Sequence, residues 1–133
     1  MSDNAERKKI LLIDDDDVYL AITVAMLSDD YDVTTVKSGK DALFLFIRKY
    51  KPDLILLDIM MPEMDGWETF NKLRGISLLR RVPIAFLTCL KNEDEIKRSR
   101  EIGATDFITK PSDKSELLGR IKKILEAHAD SCN

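Results

Sequence analysis

Five short apolar runs alternate with segments of helical periodicity, and this alternation constrains the fold more than any other feature of the sequence. Apolar side chains recur at helical spacing between the runs, for example over residues 18–27 and 42–47. Strands that alternate with helices are typical of an α/β domain with a parallel sheet. The five predicted strands cover residues 9–13, 31–36, 53–57, 82–87 and 105–109.

The apolar content of each run predicts the place of its strand in the sheet. The first, third and fourth runs are continuously apolar, as expected for strands buried on both faces, whereas the second and fifth are mixed. We therefore expect strands two and five at the edges. This matches a flavodoxin-like (βα)5 three-layer sandwich of order 2-1-3-4-5, whose ligand crevice opens at the carboxyl ends of strands one and three.

Length, charge and hydropathy exclude several classes of protein. The 133 residues suit one domain, with a core over about 8–127 and short flexible tails. The formal net charge is −3 and the basic residues are scattered, so we expect neither direct nucleic-acid binding nor a membrane surface as partner. No apolar stretch approaches the roughly 20 residues that span a bilayer, and no signal peptide is recognisable.

The two cysteines indicate a reducing compartment. Cys89 ends an apolar run, which predicts a buried thiol, and Cys132 lies in a polar tail. Their positions fit neither a disulfide framework nor a metal-binding spacing. We therefore expect the protein to be cytoplasmic.

Acidic residues cluster where predicted strands one and three end. In the stretch LLIDDDDVYL, Asp14 and Asp15 come directly after strand one, and Asp58 follows strand three. Oxygen ligands of this kind suit a hard divalent cation such as Mg2+, which would offset the repulsion between adjacent carboxylates. The remaining two aspartates, Asp16 and Asp17, fall at the start of the first helix, where the helix dipole favours negative charge.

A hydroxyl and an ammonium group are expected at the same edge of the sheet. Thr88 follows predicted strand four and Lys110 follows strand five. A carboxylate that acts as a nucleophile toward a phosphoryl group needs a metal ion and a cation to neutralise charge, and a donor to hold the transferred oxygens. Asp58, Mg2+, Lys110 and Thr88 supply that set.

These motifs resemble the receiver domain of two-component response regulators. The matching stretches are DD at 14–15, LLDIMMPEMDG at 56–66, LT at 87–88 and GATDFITKP at 103–111. The resemblance implies that Asp58 is the phosphoacceptor for a histidine kinase or a histidine phosphotransfer protein. It also implies that Asp14, Asp15 and Asp58 bind Mg2+ together with the backbone carbonyl of Met60.

The resemblance further implies a conformational switch. Thr88 and Phe107 correspond to the switch pair, and Lys110 corresponds to the lysine that contacts phosphate, followed by a cis peptide bond to Pro111. The output face is then formed by the fourth helix, fifth strand and fifth helix, and it binds a downstream protein, an output domain or a second copy after phosphorylation. The chain would be a signalling phosphoacceptor with slow self-dephosphorylation rather than an enzyme.

Two other functions stay open. A metal-dependent phosphatase with an aspartyl nucleophile would use similar chemistry, although DIM at 58–60 lacks the second acid of the haloacid-dehalogenase type. A flavin or nucleotide carrier of the same topology would need a loop of backbone donors for phosphate, whereas this crevice is lined with acids. The sequence does not identify the cognate kinase, the output or the oligomeric state.

Overall fold

The chain forms a five-stranded parallel sheet with helices on both faces. The computed structural model describes residues 7–110 and 112–131, with the side chains of 129–131 excepted. The strands are β1 Lys9–Ile13, β2 Asp32–Val36, β3 Leu54–Leu57, β4 Ile84–Thr88 and β5 Asp106–Thr109. The helices of the described residues are α1 Asp17–Leu27, α2 Gly39–Ile47, α3 Gly66–Arg74, α4 Glu93–Glu101 and α5 Lys114–Ser131, with a 3-10 turn at Ser77–Leu79.

The order and burial of the strands confirm the predicted fold class. The order is β2-β1-β3-β4-β5, and each adjacent pair is parallel. Every residue of β3 and β4 is buried, whereas β2 and β5 are largely half-exposed. Continuous apolar runs therefore identified the central strands correctly. Ile13 is paired with Leu57, so β1 and β3 end at the same level of the sheet.

Alternate side chains of the central strands supply two separate core layers. Successive residues of a strand point to opposite faces, so each strand contributes to both layers. Leu11, Ile55 and Leu57 pack with α2 and α3 residues such as Phe46 and Phe70. On the other face, α1 and α5 cover the sheet, and that layer includes Ile10, Leu12, Leu54, Leu56, Leu27 and Ile121.

Side-chain caps fix where the helices begin. Ser38 Oγ accepts a hydrogen bond from the N–H of Asp41 at 3.0 Å, and Asp113 Oδ1 accepts one from the N–H of Glu116 at 2.8 Å, both at the three-residue spacing of a capping box. Asp16 caps α1 by accepting the N–H groups of two α1 residues. The placement predicted for the later aspartates of the DDDD run is thus confirmed.

The burial predicted for Cys89 was wrong. Cys89 is exposed rather than buried, because β4 ends at Thr88 and the chain leaves the sheet there. Helix α5 continues to Ser131, past the predicted core boundary at residue 127, since the intervening sequence has no glycine or proline to end it. The peptide bond to Pro111, Cys132 and most of the predicted N-terminal tail lie outside the described residues. Among the helices described, none is long and apolar enough to cross a membrane.

Candidate functional site

The three predicted acidic ligands meet at the carboxyl edge of the sheet. The N–H of Asp14 donates to Val36 O at 3.1 Å and that of Asp58 to Ile13 O at 2.9 Å, which holds both residues at the strand ends. One carboxylate oxygen from each of Asp14, Asp15 and Asp58 lies within 4.8 Å of the other two. Asp14 is 2% exposed and Asp58 6%, whereas Asp15 is open to solvent.

Lys110 connects the two buried carboxylates. Its Nζ donates to Asp14 Oδ2 at 2.5 Å and to Asp58 Oδ2 at 3.2 Å, and the residue is only 5% exposed. Its backbone N–H donates to Thr88 O at 2.8 Å, so the edge of β4 fixes where the side chain begins. Burial lowers the pKa of Lys110, but the hydrogen bond to Asp14 and the charges of Asp58 and Asp14 outweigh it, so the net direction is upward. The ammonium form is therefore the stable one.

The carboxylates outnumber the cation that faces them. Burial raises the pKa of Asp14, with a further contribution from the charge of Asp58, although hydrogen bonds from Lys110 and from the N–H of Asp16 oppose the shift. Three carboxylates and one ammonium leave an excess of two negative charges. An all-oxygen set with this charge fits a divalent cation such as Mg2+.

Met60 lies two residues after Asp58, in the loop where the chain leaves the sheet, and the resemblance assigns its backbone carbonyl to the metal. Its N–H donates to Asp58 Oδ1 at 3.3 Å, so the loop turns directly after Asp58. The side chain is exposed, and the role of the carbonyl stays a prediction.

The predicted switch residues lie beside this cluster. Thr88 is completely buried, and its Oγ1 accepts the N–H of Leu90 at 3.3 Å. Phe107 is half-buried on β5, with its ring centroid 6.3 Å from that of Phe86 in the core. The structure thus brings Thr88 to the site and Phe107 to the adjoining strand, and their role as a switch stays a prediction.

Sequence reasoning missed Tyr19 and gave Gly66 no role beyond its place in the motif at 56–66. The ring of Tyr19, on α1, lies against Lys110, with Nζ 4.3 Å from the ring centroid. Gly66 donates its N–H to Ile59 O at 2.8 Å, so the start of α3 folds back onto the loop that follows Asp58. The position predicted for Asp16 indicated that the first turn of α1 begins at the site, but not that the Tyr19 ring would face Lys110. The packing around Gly66 has no comparable signal.

Fold and site together define the class. A parallel α/β domain of order β2-β1-β3-β4-β5 that gathers three carboxylates and a buried lysine at its carboxyl edge is a receiver-type domain. Residues 10–122 match the family described as the response regulator receiver domain, and the chain belongs to that family.

The relatives agree with this assignment. The chain is 36% identical over 117 residues to response regulator PleD of Caulobacter vibrioides, covering 87% of this chain and 26% of PleD. It is 39% identical over 119 residues to the alkaline phosphatase synthesis transcriptional regulatory protein PhoP of Bacillus subtilis, covering 89% and 48%. The chain therefore spans a quarter to a half of these curated relatives.

A solved structure gives the same result. The signal receiver domain of a signal transduction histidine kinase from Syntrophus aciditrophicus superposes with a TM-score of 0.79 at 35% identity, over 90% of this chain and 91% of that one. The fold assignment thus has independent structural support. The chain is a receiver domain of two-component signalling, and the comparisons lend no support to the phosphatase alternative.

Proposed function

We propose that Asp58 accepts a phosphoryl group from a histidine kinase or a histidine phosphotransfer protein, with Mg2+ held by Asp14, Asp15 and Asp58. The hydrogen bonds of the two buried carboxylates, Asp14 and Asp58, differ in length, and this difference supports Asp58 as the acceptor. Asp14 accepts at 3.0 Å from the N–H of Asp16 and at 2.5 Å from Lys110. The corresponding hydrogen bonds of Asp58, from Met60 and Lys110, are 3.3 and 3.2 Å. Asp58 thus has the longer hydrogen bonds, which leaves its oxygens less constrained for attack on phosphorus.

Each site residue has a task in the transfer. A carboxylate oxygen of Asp58 attacks phosphorus while the phosphorus–nitrogen bond of the phosphohistidine breaks, and the leaving imidazole nitrogen keeps the bonding electron pair. Lys110, already bonded to Asp58, turns toward the phosphoryl oxygens. Thr88 Oγ1 is an acceptor toward Leu90, so its hydrogen is available to a phosphoryl oxygen. The metal ion, when bound, neutralises negative charge that builds on the transferred group.

We propose that the face formed by α4, β5 and α5 carries the output. Phe107 on β5 is linked to α5, because Arg120 Nη1 lies 3.4 Å from Phe107 O and 3.0 Å from Asp106 Oδ1. Phe107 is also connected to α4 through a row of aromatic rings, those of Phe86 and Trp67. The Phe86 centroid lies 6.3 Å from Phe107 and 4.9 Å from Trp67.

The row of rings ends at α4. The guanidinium of Arg98 on α4 lies 4.2 Å from the centroid of the Trp67 ring. A movement of Phe107 would therefore reach both helices. The partner at this face would be a downstream protein, an output domain or a second copy of this chain.

Phosphorylation by a small donor tests the acceptor. Acetyl phosphate with Mg2+ should add one phosphoryl group that is labile at extreme pH, and Asp58→Asn should abolish the adduct in intact-mass spectra. Asp29→Asn is the matched control, because Asp29 is exposed at the opposite edge of the sheet. An undiminished adduct on the Asp58→Asn protein would overturn the assignment. Rapid release of phosphate over many turnovers with no accumulating adduct would favour the phosphatase instead.

A further inference from the structure

Tyr19 is held over the site by the aspartate run itself. The backbone N–H of Asp16 donates to Asp14 Oδ1 at 3.0 Å, so the cap of α1 is tied to the acid cluster. Asp16 Oδ1 in turn accepts the N–H groups of Val18 at 2.9 Å and of Tyr19 at 3.3 Å. The position of Tyr19 is therefore set by the same residues that form the site.

The contacts of Lys110 enclose its ammonium group from two directions. Asp14 and Asp58 take hydrogen bonds from Nζ, and the Tyr19 ring lies 4.3 Å from Nζ. An aromatic face attracts a cation through its quadrupole, more strongly when water is excluded, and Lys110 is only 5% exposed. The ring thus helps to keep the ammonium in place without adding a negative charge to an already acidic site.

We propose that Tyr19 is a positioning residue for Lys110 in phosphoryl transfer. A ring face offers attraction without a fixed hydrogen-bond direction, so Nζ can turn from Asp14 toward a phosphoryl group on Asp58 and keep its contact with the ring. A carboxylate in place of the Tyr19 ring would compete with the phosphoryl oxygens for the Lys110 ammonium. This inference rests on the proposed role of Asp58 as acceptor.

Three variants separate the ring from the hydroxyl and from general packing. Tyr19→Phe keeps the aromatic face, Tyr19→Leu keeps apolar bulk without it, and Tyr31→Leu changes a partly buried tyrosine at the opposite edge of the sheet. We expect Tyr19→Leu to lower the rate of phosphorylation by acetyl phosphate by about three- to tenfold, in line with the loss of a partly desolvated cation–π contact. Tyr19→Phe and Tyr31→Leu should keep the wild-type rate.

A second readout needs neither metal nor phosphoryl group. In Mg2+-free protein, the NMR signals of the Lys110 side-chain methylene protons should show a ring-current shift that persists in Tyr19→Phe and disappears in Tyr19→Leu. A wild-type phosphorylation rate in Tyr19→Leu would overturn the positioning role, and so would a rate in Tyr19→Phe as low as that in Tyr19→Leu. If Asp58→Asn still forms the adduct while the ring-current pattern holds, the proposed acceptor fails although the contact with Lys110 stands.

Discussion

Gly66 is the position where the smallest change should disturb both the fold and the site. It is the first residue of α3 and follows the N-cap Asp65. A Cβ added to Gly66 would lie 2.4 Å from Asp58 O and 2.5 Å from Ile59 Cα. Both are backbone atoms, so neither can rotate away, and Gly66→Ala must push α3 from the loop that follows the acceptor.

The size of the clash sets the expected loss of stability. The contact with Asp58 O must lengthen from 2.4 Å to at least 3.4 Å before it is an ordinary van der Waals contact. Overpacking of a buried site usually costs about 1–3 kcal/mol of the free energy of unfolding. For a domain of this size, about 1 kcal/mol corresponds to roughly 4 °C, so we expect Tm to fall by about 4–12 °C.

The same displacement should weaken the chemistry, because the atom that is pushed is the carbonyl of the acceptor itself. A shift of about 1 Å in a reacting group can reduce a rate by roughly 100-fold. Metal ligation is also sensitive, since ligand distances must stay within about 0.2 Å of their preferred values. We therefore expect Gly66→Ala to bind Mg2+ more weakly and to be phosphorylated up to about 100-fold more slowly.

Gly119 on α5 provides the matched control. It is exposed, and apart from its chain neighbours and the backbone of its own helix no heavy atom lies within 4 Å of the place where its Cβ would be. Gly119→Ala should therefore raise stability by about 0.5–1 kcal/mol through the greater helix propensity of alanine. Calorimetric melting and intact-mass phosphorylation kinetics of both variants give the comparison. A Gly66→Ala protein with the Tm and the phosphorylation rate of wild type would refute the reasoning.

Three further predictions concern the metal, the lifetime and the output. Burial raises the pKa of Asp14 above its ordinary value of 3.8. The contribution of this carboxyl to the free energy of unfolding is therefore fully present below pH 3.8, and it is lost as the pH rises through the raised pKa. The Asp14→Asn protein should thus bind Mg2+ more weakly in calorimetric titration. Without metal at neutral pH, its Tm should equal or exceed that of wild type, and a large fall in Tm would contradict this. The side chains of Met60 and Leu90 have no polar group that could orient a water molecule behind phosphorus. Leu90→Glu should therefore speed hydrolysis of the phosphorylated protein by about tenfold. This is less than the roughly 100-fold or more that a well-placed general base contributes. Unchanged decay would count against that mechanism. NMR shifts on adding beryllofluoride should extend over residues 88–110 and the start of α5, and a response confined to the Asp58 crevice would exclude the switch. A complete switch from 1:99 to 99:1 needs about 5.5 kcal/mol, so we expect partial switching.

The features that could be predicted are those that depend on the pattern along one strand or one helix start. Continuous apolar runs identified β3 and β4 as central, because a strand buried on both faces has no solvent-facing side and so no alternating polar residues. Residues that follow the central strands were then expected at one edge, which placed Asp14 and Asp58 together. The caps at Ser38 and Asp113 were predictable because their partners are three residues away.

The features that could not be predicted depend on how separate elements approach one another. An aromatic residue on an apolar helix is expected in the core, and only the rotation of α1 turns the Tyr19 ring toward Lys110. Cys89 was misjudged because it was counted with the apolar run before it, whereas the chain leaves the sheet after Thr88. The clash that requires a glycine at position 66 involves backbone atoms of Asp58 and Ile59, and local periodicity gives no sign of it.

The charge balance of the site accounts for the sharing of Lys110 between Asp14 and Asp58, and it predicts that phosphorylation of Asp58 releases Lys110 from Asp14. At rest its ammonium offsets part of the charge of Asp14 and of Asp58, with the shorter hydrogen bond to Asp14. A phosphoryl group on Asp58 converts one carboxylate charge into about two phosphate charges, which draws Lys110 toward Asp58. Asp14 then loses the cation that favours its ionised form, while burial continues to oppose that form. A divalent cation at Asp14 and Asp15 restores the balance, so phosphorylation and metal binding should each strengthen the other, as reciprocal linkage requires.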